Sequence, residues 1–238
     1  MNALLALFLA LLLPCSAWAL SSDEIVRALL DPVNSSGNVA DAVDEATGAR
    51  GWMSSDMKPI IGGKIVGRAA TALMRPGLRN DSRNYRNHLL EVLDEAEPGS
   101  ILVFVMQDGL EIAAMGNLMA TTAKVRGLAG AVIDGAVRDI AEIRQIGLPV
   151  WSRRVSPATS IGRMVSVDKQ VAVQCGGVAV APGDYIVADA DGVVVVPQAA
   201  AGRVIELLAQ YADKESRMIP IIQEHKSMLK ALEIYKRY

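Results

Sequence analysis

Apolar positions downstream of residue 20 follow two alternating patterns. In some segments they recur at intervals of three and four, which predicts amphipathic helices. These segments are residues 23–30, 39–47, 85–96, 118–126 and 139–145. Elsewhere apolar and β-branched residues run together, which is typical of strands covered on both faces. These runs are residues 63–74, 101–106 and 131–133. The alternation of strand and helix predicts βαβ units, with functional groups at the strand ends.

The second half of the chain has a different texture. Between residues 150 and 196, short apolar runs are separated by glycine-containing turns, which favours a mostly antiparallel or barrel-like second layer. From Gln198 onward the pattern is helical, and Pro220 should kink or split the helix because proline has no amide to donate. This C-terminal helix carries many apolar residues. We therefore predict that it packs on a neighbouring subunit.

The first nineteen residues form a separate segment. An unbroken apolar run over residues 3–13 precedes small residues at Ala17 and Ala19, a pattern that favours a cleaved signal peptide and hence export to the periplasm. No Lys or Arg precedes Arg27, so two alternatives stay open. One is a membrane anchor, although the run is short for a span, and the other is a misplaced start codon before a cytoplasmic protein. Residues 20–238 are expected to form a single domain with no stable membrane span.

Composition limits the classes of partner and chemistry. The chain is 51% apolar but only 4% aromatic, and 24 basic residues face 26 acidic ones. This balance gives no overall basic footprint for nucleic acid, and the alternative of a local basic patch rests on Arg75, Arg79, Arg83 and Arg86, which cluster in the sequence. Once the leader is removed, Cys175 is the single cysteine. An internal disulfide is thereby excluded, no cysteine–histidine spacing suits zinc, and Cys175 is expected to be a buried, inert thiol.

Residues 116–139 hold the main candidate chemistry. A glycine turn opens a helix at Asn117, a favourable N-cap whose first-turn amides and helix dipole suit a carboxylate or phosphate. A strand then leads to Arg138, which is able to hold an anion with two donors. Asp139 offers a hard oxygen ligand for magnesium or manganese. Together these groups suit chemistry on a small keto acid; the alternative is that Arg138 and Asp139 only cap the following helix. Asp108 and Asp134 follow buried strands, where turn roles are favoured.

The same stretch resembles one family, the proteins similar to regulator of ribonuclease activity A. That family includes divalent-metal aldolases that cleave 4-hydroxy-4-methyl-2-oxoglutarate and 4-carboxy-4-hydroxy-2-oxoadipate. Similar segments occur in order between Ser22 and Glu215, and they are residues 38–44, 63–67, 129–139, 147–151, 155–157, 181–189 and 192–197. The resemblance implies an α/β/β sandwich of the swivelling β/β/α type and a homotrimer or hexamer. Several segments in order indicate a fold more strongly than an activity.

The resemblance also implies roles for individual residues. Asp139 would bind the metal directly and Arg138 would orient the substrate. The turn at Asn117, Leu118 and Met119 would offer backbone amides to the substrate carboxylate, with the side chains of Leu118 and Met119 in the core. Glu215, donated by an adjacent subunit, would hold metal-bound water. The alternative for Glu215 is an ordinary surface ion pair.

Asn117 departs from the aldolases that the chain resembles, which carry a carboxylate at this place. An amide cannot accept a proton near neutral pH, whereas retro-aldol cleavage needs a base for the hydroxyl proton. Decarboxylation of oxaloacetate needs only a metal to polarise the keto group. The sequence thus predicts a Mg²⁺- or Mn²⁺-dependent lyase that cleaves a small 2-oxo diacid to pyruvate, with decarboxylation less affected than aldol cleavage. The alternative is a non-catalytic protein that binds a ribonuclease.

Overall fold

A computed structural model describes residues 20–77 and 87–234. The predicted leader and the first residues of the helix predicted from Tyr85 lie outside the described residues. Within the two described ranges, no helix is both long enough and apolar enough to cross a bilayer.

Helices and strands alternate along most of the chain. The helices are α1 (Ser22–Leu30), α2 (Ser36–Thr47), α3 (His88–Glu95), α4 (Asn117–Val125), α5 (Ile140–Ile146), α6 (Ala201–His225) and α7 (Met228–Ile234). The strands are β1 (Lys58–Ile61), β2 (Ile65–Pro76), β3 (Ile101–Met106), β4 (Ala113–Met115), β5 (Gly130–Val137), β6 (Val150–Val155), β7 (Met164–Lys169), β8 (Val173–Cys175), β9 (Val178–Val180), β10 (Tyr185–Ala188) and β11 (Val193–Val196).

Nine of these strands form one curled sheet. Its main order is β1-β6-β5-β3-β2-β10-β11, with β4 beside β5 and β7 beside β2. The central strands β2, β3, β5 and β6 are parallel, as expected where helices connect them. On the edge of β2 away from β3, residues 65–68 pair with β10 and residues 72–76 with β7. Because these two partners share one long strand, the sheet turns on itself.

Alternating side chains give the curled sheet two apolar faces. In β3, Ile101, Val103 and Val105 belong to the inner core, where the β8–β9 hairpin also packs. The intervening Leu102, Phe104 and Met106 belong to an outer core with α3, α4 and α5. Helices α1, α2 and α6 cover the outer face of β10 and β11. This period-two division follows directly from the pleat of a strand.

The structure confirms the predicted mixed α/β fold with a C-terminal helix. Two expectations about that helix need correction or refinement. Pro220 does not split it, since α6 is continuous to His225. Pro220 is exposed, so water can solvate the carbonyl that loses its amide partner. The first half of α6 packs on its own chain through residues such as Leu208 and Tyr211, while contact with a neighbouring subunit stays a prediction.

Candidate active site

Two parallel strands bring the ends of the 116–139 segment together. Strand β4 pairs with the second half of β5, and the amide of Arg138 donates to the carbonyl of Met115 at 3.1 Å. The carboxyl ends of parallel neighbours meet at one edge of a sheet. Gly116, at the end of β4, therefore lies beside Arg138 and Asp139, at the end of β5.

The contact between these ends is close and polar. The amide of Asn117 donates to Asp139 Oδ2 at 3.0 Å, and Arg138 Nε lies 3.6 Å from the same oxygen. A Cβ on residue 116 would stand 2.5 Å from Asp139 Oδ2 and 3.0 Å from Arg138 Nε. Only glycine therefore permits this approach, because a methyl group there would push the carboxylate and guanidinium away.

Asp139 has an unusual backbone conformation. Its φ of 58° and ψ of 42° are left-handed, and the residue stands at the N-cap position of α5. Aspartate tolerates this region better than most residues, but it still carries strain. The side chain makes no capping hydrogen bond to α5 and turns instead toward the Gly116 turn. The geometry is thus unlike that of a carboxylate that merely caps its own helix.

The expected cap at Asn117 is wrong in position. Gly116 is the N-cap residue of α4, and Asn117 is its first helical residue. The carboxylate of Asp139 acts in place of a cap, since it accepts the Asn117 amide. The first-turn amides of Leu118 and Met119 make no hydrogen bond within the described part of the chain, which leaves two donors for an external anion.

The side chain of Leu118 does not lie in the core as expected, because it is 79% exposed. Met119 agrees with the expectation, since it is partly buried and packs against the outer core. The first turn of α4 lies at the surface, so a side chain on its outward side has no layer above it within one chain.

Gly116, Asn117 and Arg138 line a pocket with a volume of about 220 Å³. Its walls come from the start of α3, the β4–α4 turn, Arg138 and the loop after β6. The lining residues are Asn87, Leu90, Ala113, Ala114, Met115, Gly116, Asn117, Leu118, Met119, Arg138, Thr159, Ser160 and Ile161. The amide of Ala113 holds the loop by donating to the carbonyl of Ala158 at 2.8 Å. Sequence reasoning missed the α3 and loop contributions, because no local pattern links them to residue 116.

The carboxylate beside this pocket suits a hard cation with few protein ligands. Asp139 Oδ2 is occupied by Asn117 and Arg138, whereas Oδ1 accepts no hydrogen bond from the described residues. In residues 20–77 and 87–234, no cluster of three or more His, Cys, Asp or Glu side chains is positioned to hold a metal. Mg²⁺ is commonly bound through one or two carboxylates, with water and substrate oxygens completing the octahedron. A single carboxylate ligand from Asp139 is consistent with this mode of coordination.

Glu215 lies apart from this lining within one chain. It is on α6, where Asn38 Nδ2 of α2 donates to Glu215 Oε2 at 3.4 Å. The pocket walls do not include Glu215. Its participation from an adjacent subunit therefore stays a prediction.

Asp134 has a different place from the expected turn. It lies within β5, where it is nearly buried. Asp134 Oδ1 accepts from Arg153 at 3.0 Å, and Oδ2 accepts from the Gly176 amide at 2.7 Å. Arg153 also donates to Asp56 at 3.0 Å. This network fixes the β8–β9 hairpin inside the curled sheet. The neighbouring Cys175 is fully buried, and burial raises the pKa of its thiol well above the usual value, as expected for an inert thiol.

Comparison with known proteins confirms the resemblance. The family model described as "RraA-like: Aldolase/RraA" matches residues 36–195. A Halalkalibacterium halodurans protein named "Putative 4-hydroxy-4-methyl-2-oxoglutarate aldolase" is 33% identical over 185 residues, which are 75% of this chain and 80% of that protein.

Solved structures agree with this family and with the fold. Streptomyces coelicolor RraAS2, titled an unusual member of the RNase ES inhibitor RraA protein family, has a TM-score of 0.73 and 31% identity, covering 84% of this chain and 97% of its own. An uncharacterised Pseudomonas syringae protein has a TM-score of 0.75 at 24% identity, covering 90% and 99%, and so supports the fold alone. The chain belongs to the RraA-like family of Aldolase/RraA proteins.

Proposed function

We propose that this protein is a divalent-metal-dependent carbon–carbon lyase that cleaves a small 2-oxo acid and releases pyruvate. The observation that carries this proposal is the contact of Arg138 and the Asn117 amide with one oxygen of Asp139. The aldolase names of relatives support the same reaction class. The first substrates to test are two diacids, 4-hydroxy-4-methyl-2-oxoglutarate and oxaloacetate.

Each group at the pocket would have a separate task. Asp139 would hold Mg²⁺ or Mn²⁺ through its Oδ1, and the cation, when bound, supplies a Lewis acid for the keto oxygen. The amides of Leu118 and Met119 would receive the substrate carboxylate, helped by the dipole of α4. Arg138, with 42% of its side chain exposed, would balance the negative charge that develops on the enolate as the bond breaks.

Asn117 bears on which of the two reactions, decarboxylation or aldol cleavage, is faster. Its side chain lines the pocket, but an amide has no lone pair basic enough to take the hydroxyl proton of an aldol substrate. Loss of CO₂ from oxaloacetate requires no such proton transfer before the bond breaks. We therefore expect decarboxylation to exceed aldol cleavage in the wild-type protein. Glu215 of a neighbouring subunit is the proposed second carboxylate, and it would hold water.

The test is pyruvate release by the purified full chain with added Mg²⁺ or Mn²⁺, followed by coupled oxidation of NADH. We expect turnover that a chelator removes and that Asp139→Ala reduces to background. Glu142→Ala is the matched control, because Glu142 is an exposed carboxylate in the first turn of α5. Isothermal titration with Mn²⁺ gives a second readout, in which only Asp139→Ala should lose binding. The proposal fails if neither diacid is turned over in a metal-dependent way.

A second function is supported by a different observation. The Streptomyces coelicolor relative is named for a family of ribonuclease inhibitors. In addition, position 117 is an asparagine and does not supply the carboxylate base expected of an aldolase. A protein of this kind would bind a ribonuclease without metal-dependent turnover. Inhibition of ribonuclease by both the wild type and Asp139→Ala, with no pyruvate from either, would favour this function over the lyase.

A further inference from the structure

We propose that the pocket selects substrates whose leaving fragment is uncharged. This inference rests on the proposed lyase function and concerns the part of the pocket beyond Arg138. The walls of the pocket divide into one polar corner and one apolar rim.

The polar corner contains Gly116, Asn117 and Arg138, and Asp139 contacts it by accepting a hydrogen bond from the Asn117 amide. Arg138 is the one charged residue among the described residues that line the pocket. A 2-oxo acid held at this corner by its carboxylate and keto oxygen must extend toward the other walls. Its third and fourth carbons, where the bond breaks, would therefore lie against those walls.

The apolar rim consists of Leu90, Leu118 and Ile161. These residues come from α3, from α4 and from the loop after β6, and they are 44%, 79% and 54% exposed. Behind them lie Ala113, Ala114 and Met115, all buried. The polar groups nearby, Asn87, Thr159 and Ser160, are neutral. Three exposed apolar side chains from separate elements thus converge on one opening.

Such a wall treats charged and uncharged fragments differently. A carboxylate moved from water onto an apolar wall without a cation loses solvation that neutral hydroxyl and amide groups replace only in part. An uncharged fragment of similar size loses much less. The rim should therefore raise the barrier for a reaction whose leaving fragment keeps its carboxylate. It should lower the barrier for a reaction that converts a carboxylate there into an uncharged product.

Three reactions differ in the charge on the fragment that leaves. In oxaloacetate the C3–C4 bond breaks, its electron pair enters the enolate, CO₂ leaves without charge, and C3 takes a proton from water. In 4-hydroxy-2-oxopentanoate the hydroxyl proton passes to water, the C3–C4 bond breaks so that its electron pair enters the enolate, neutral acetaldehyde leaves, and C3 takes a proton from water. In 4-hydroxy-4-methyl-2-oxoglutarate the fragment that leaves is a second pyruvate, which keeps its carboxylate. The rim favours the first reaction, permits the second and opposes the third.

The decisive comparison is between the two hydroxy acids, because both need the hydroxyl proton removed and the effect of Asn117 therefore cancels. The measured quantity is the ratio of kcat/KM for 4-hydroxy-2-oxopentanoate to kcat/KM for 4-hydroxy-4-methyl-2-oxoglutarate. Leu118→Lys and Ile161→Lys would place a cation at the rim. Each should shift this ratio toward the diacid by about tenfold or more, the scale of discrimination by a pocket group.

Val125→Lys is the matched control. Val125 is on the same helix as Leu118, is 83% exposed and does not line the pocket, so its replacement should leave the ratio unchanged. The exposure of Leu118 and Ile161 means that their lysine variants should fold, which a thermal melt checks. If both rim variants keep the wild-type ratio while pyruvate is still released, the selection by charge is wrong and the lyase function stands. If no substrate is turned over by the wild type, both proposals fall.

Discussion

Gly116 illustrates how an absent side chain organises the site. The contact between Asp139 Oδ2 and the Asn117 amide occupies the space that a Cβ on residue 116 would need. The left-handed backbone of Asp139 then turns its carboxylate toward that gap. Neither residue achieves this alone, since the glycine supplies room and the strained aspartate supplies direction.

Asn117→Asp should restore aldol cleavage. The new carboxylate would line the pocket at the place where the aldolases that this chain resembles carry one, and general-base catalysis contributes on the order of 10²-fold or more. We expect a gain of that order in kcat for 4-hydroxy-4-methyl-2-oxoglutarate. Oxaloacetate decarboxylation should change by much less, because it needs no base before bond cleavage. Parallel assays on both substrates check this, and equal gains on the two would contradict it.

At the scale of elements, side-chain hydrogen bonds fasten helices to the turns of the sheet. One fastening joins the start of α2 to the turn between β10 and β11. The amide and hydroxyl of Ser36 donate to the two oxygens of Asp189 at 2.8 and 2.6 Å, and the Asp191 amide donates at 3.0 Å. Burial alone would raise the pKa of Asp189, but these donors outweigh it and hold the pKa below its usual value.

This carboxylate makes stability depend on pH in a definite direction. A group whose pKa is lower in the folded state contributes stability above its unfolded pKa, and that contribution is lost as pH falls through the folded value. Asp189→Asn should therefore lower the free energy of unfolding by about 1–2 kcal/mol at pH 7. The difference from wild type should shrink below about pH 4.

Urea unfolding at pH 7 and pH 3 measures this difference. Asp191→Asn is the control, because Asp191 is an exposed acidic residue of the same turn that enters the network through its backbone amide. If Asp189→Asn lowers the free energy of unfolding by the same amount at both pH values, the loss arises from packing rather than from the charge.

At the scale of the whole molecule, the pocket is open and its apolar rim is exposed in a single chain. The first half of α6 packs on its own domain, but Ile219 in its second half and Leu229 and Ile234 of α7 are exposed apolar residues. This distribution supports the proposed association with a second copy, through which Glu215 would reach a neighbouring site.

Subunit complementation tests that arrangement directly. Asp139→Ala and Glu215→Gln chains should each lose most activity when expressed alone, because each lacks one carboxylate of the composite site. Co-expressed chains should form mixed oligomers in which some sites receive Asp139 from one subunit and Glu215 from another, so turnover should reappear. Mixing after folding is the control, and mixed oligomers that stay inactive would place Glu215 outside the site.

Many features followed from sequence because they depend on short-range periodicity. The run at 101–106 gave a buried strand, the three-and-four spacing gave α1, α2 and α4, and the glycine-separated runs gave short strands. The position of Arg138 and Asp139 at a strand end also followed, since strand and helix alternate there. These are local properties, in which each residue's preference agrees with its neighbours'.

The tertiary structure decided everything that required distant residues to meet. The length of β5, the pairing of β4 with it and the closure of the pocket by Leu90 and Ile161 depend on sheet register. The same pairing made Gly116 rather than Asn117 the cap of α4 and left Leu118 at the surface. Chain sequence specifies which side chains are available. Their chemistry becomes a site only when strand pairing sets the distances between them, because hydrogen bonds and charge contacts act over a few ångströms.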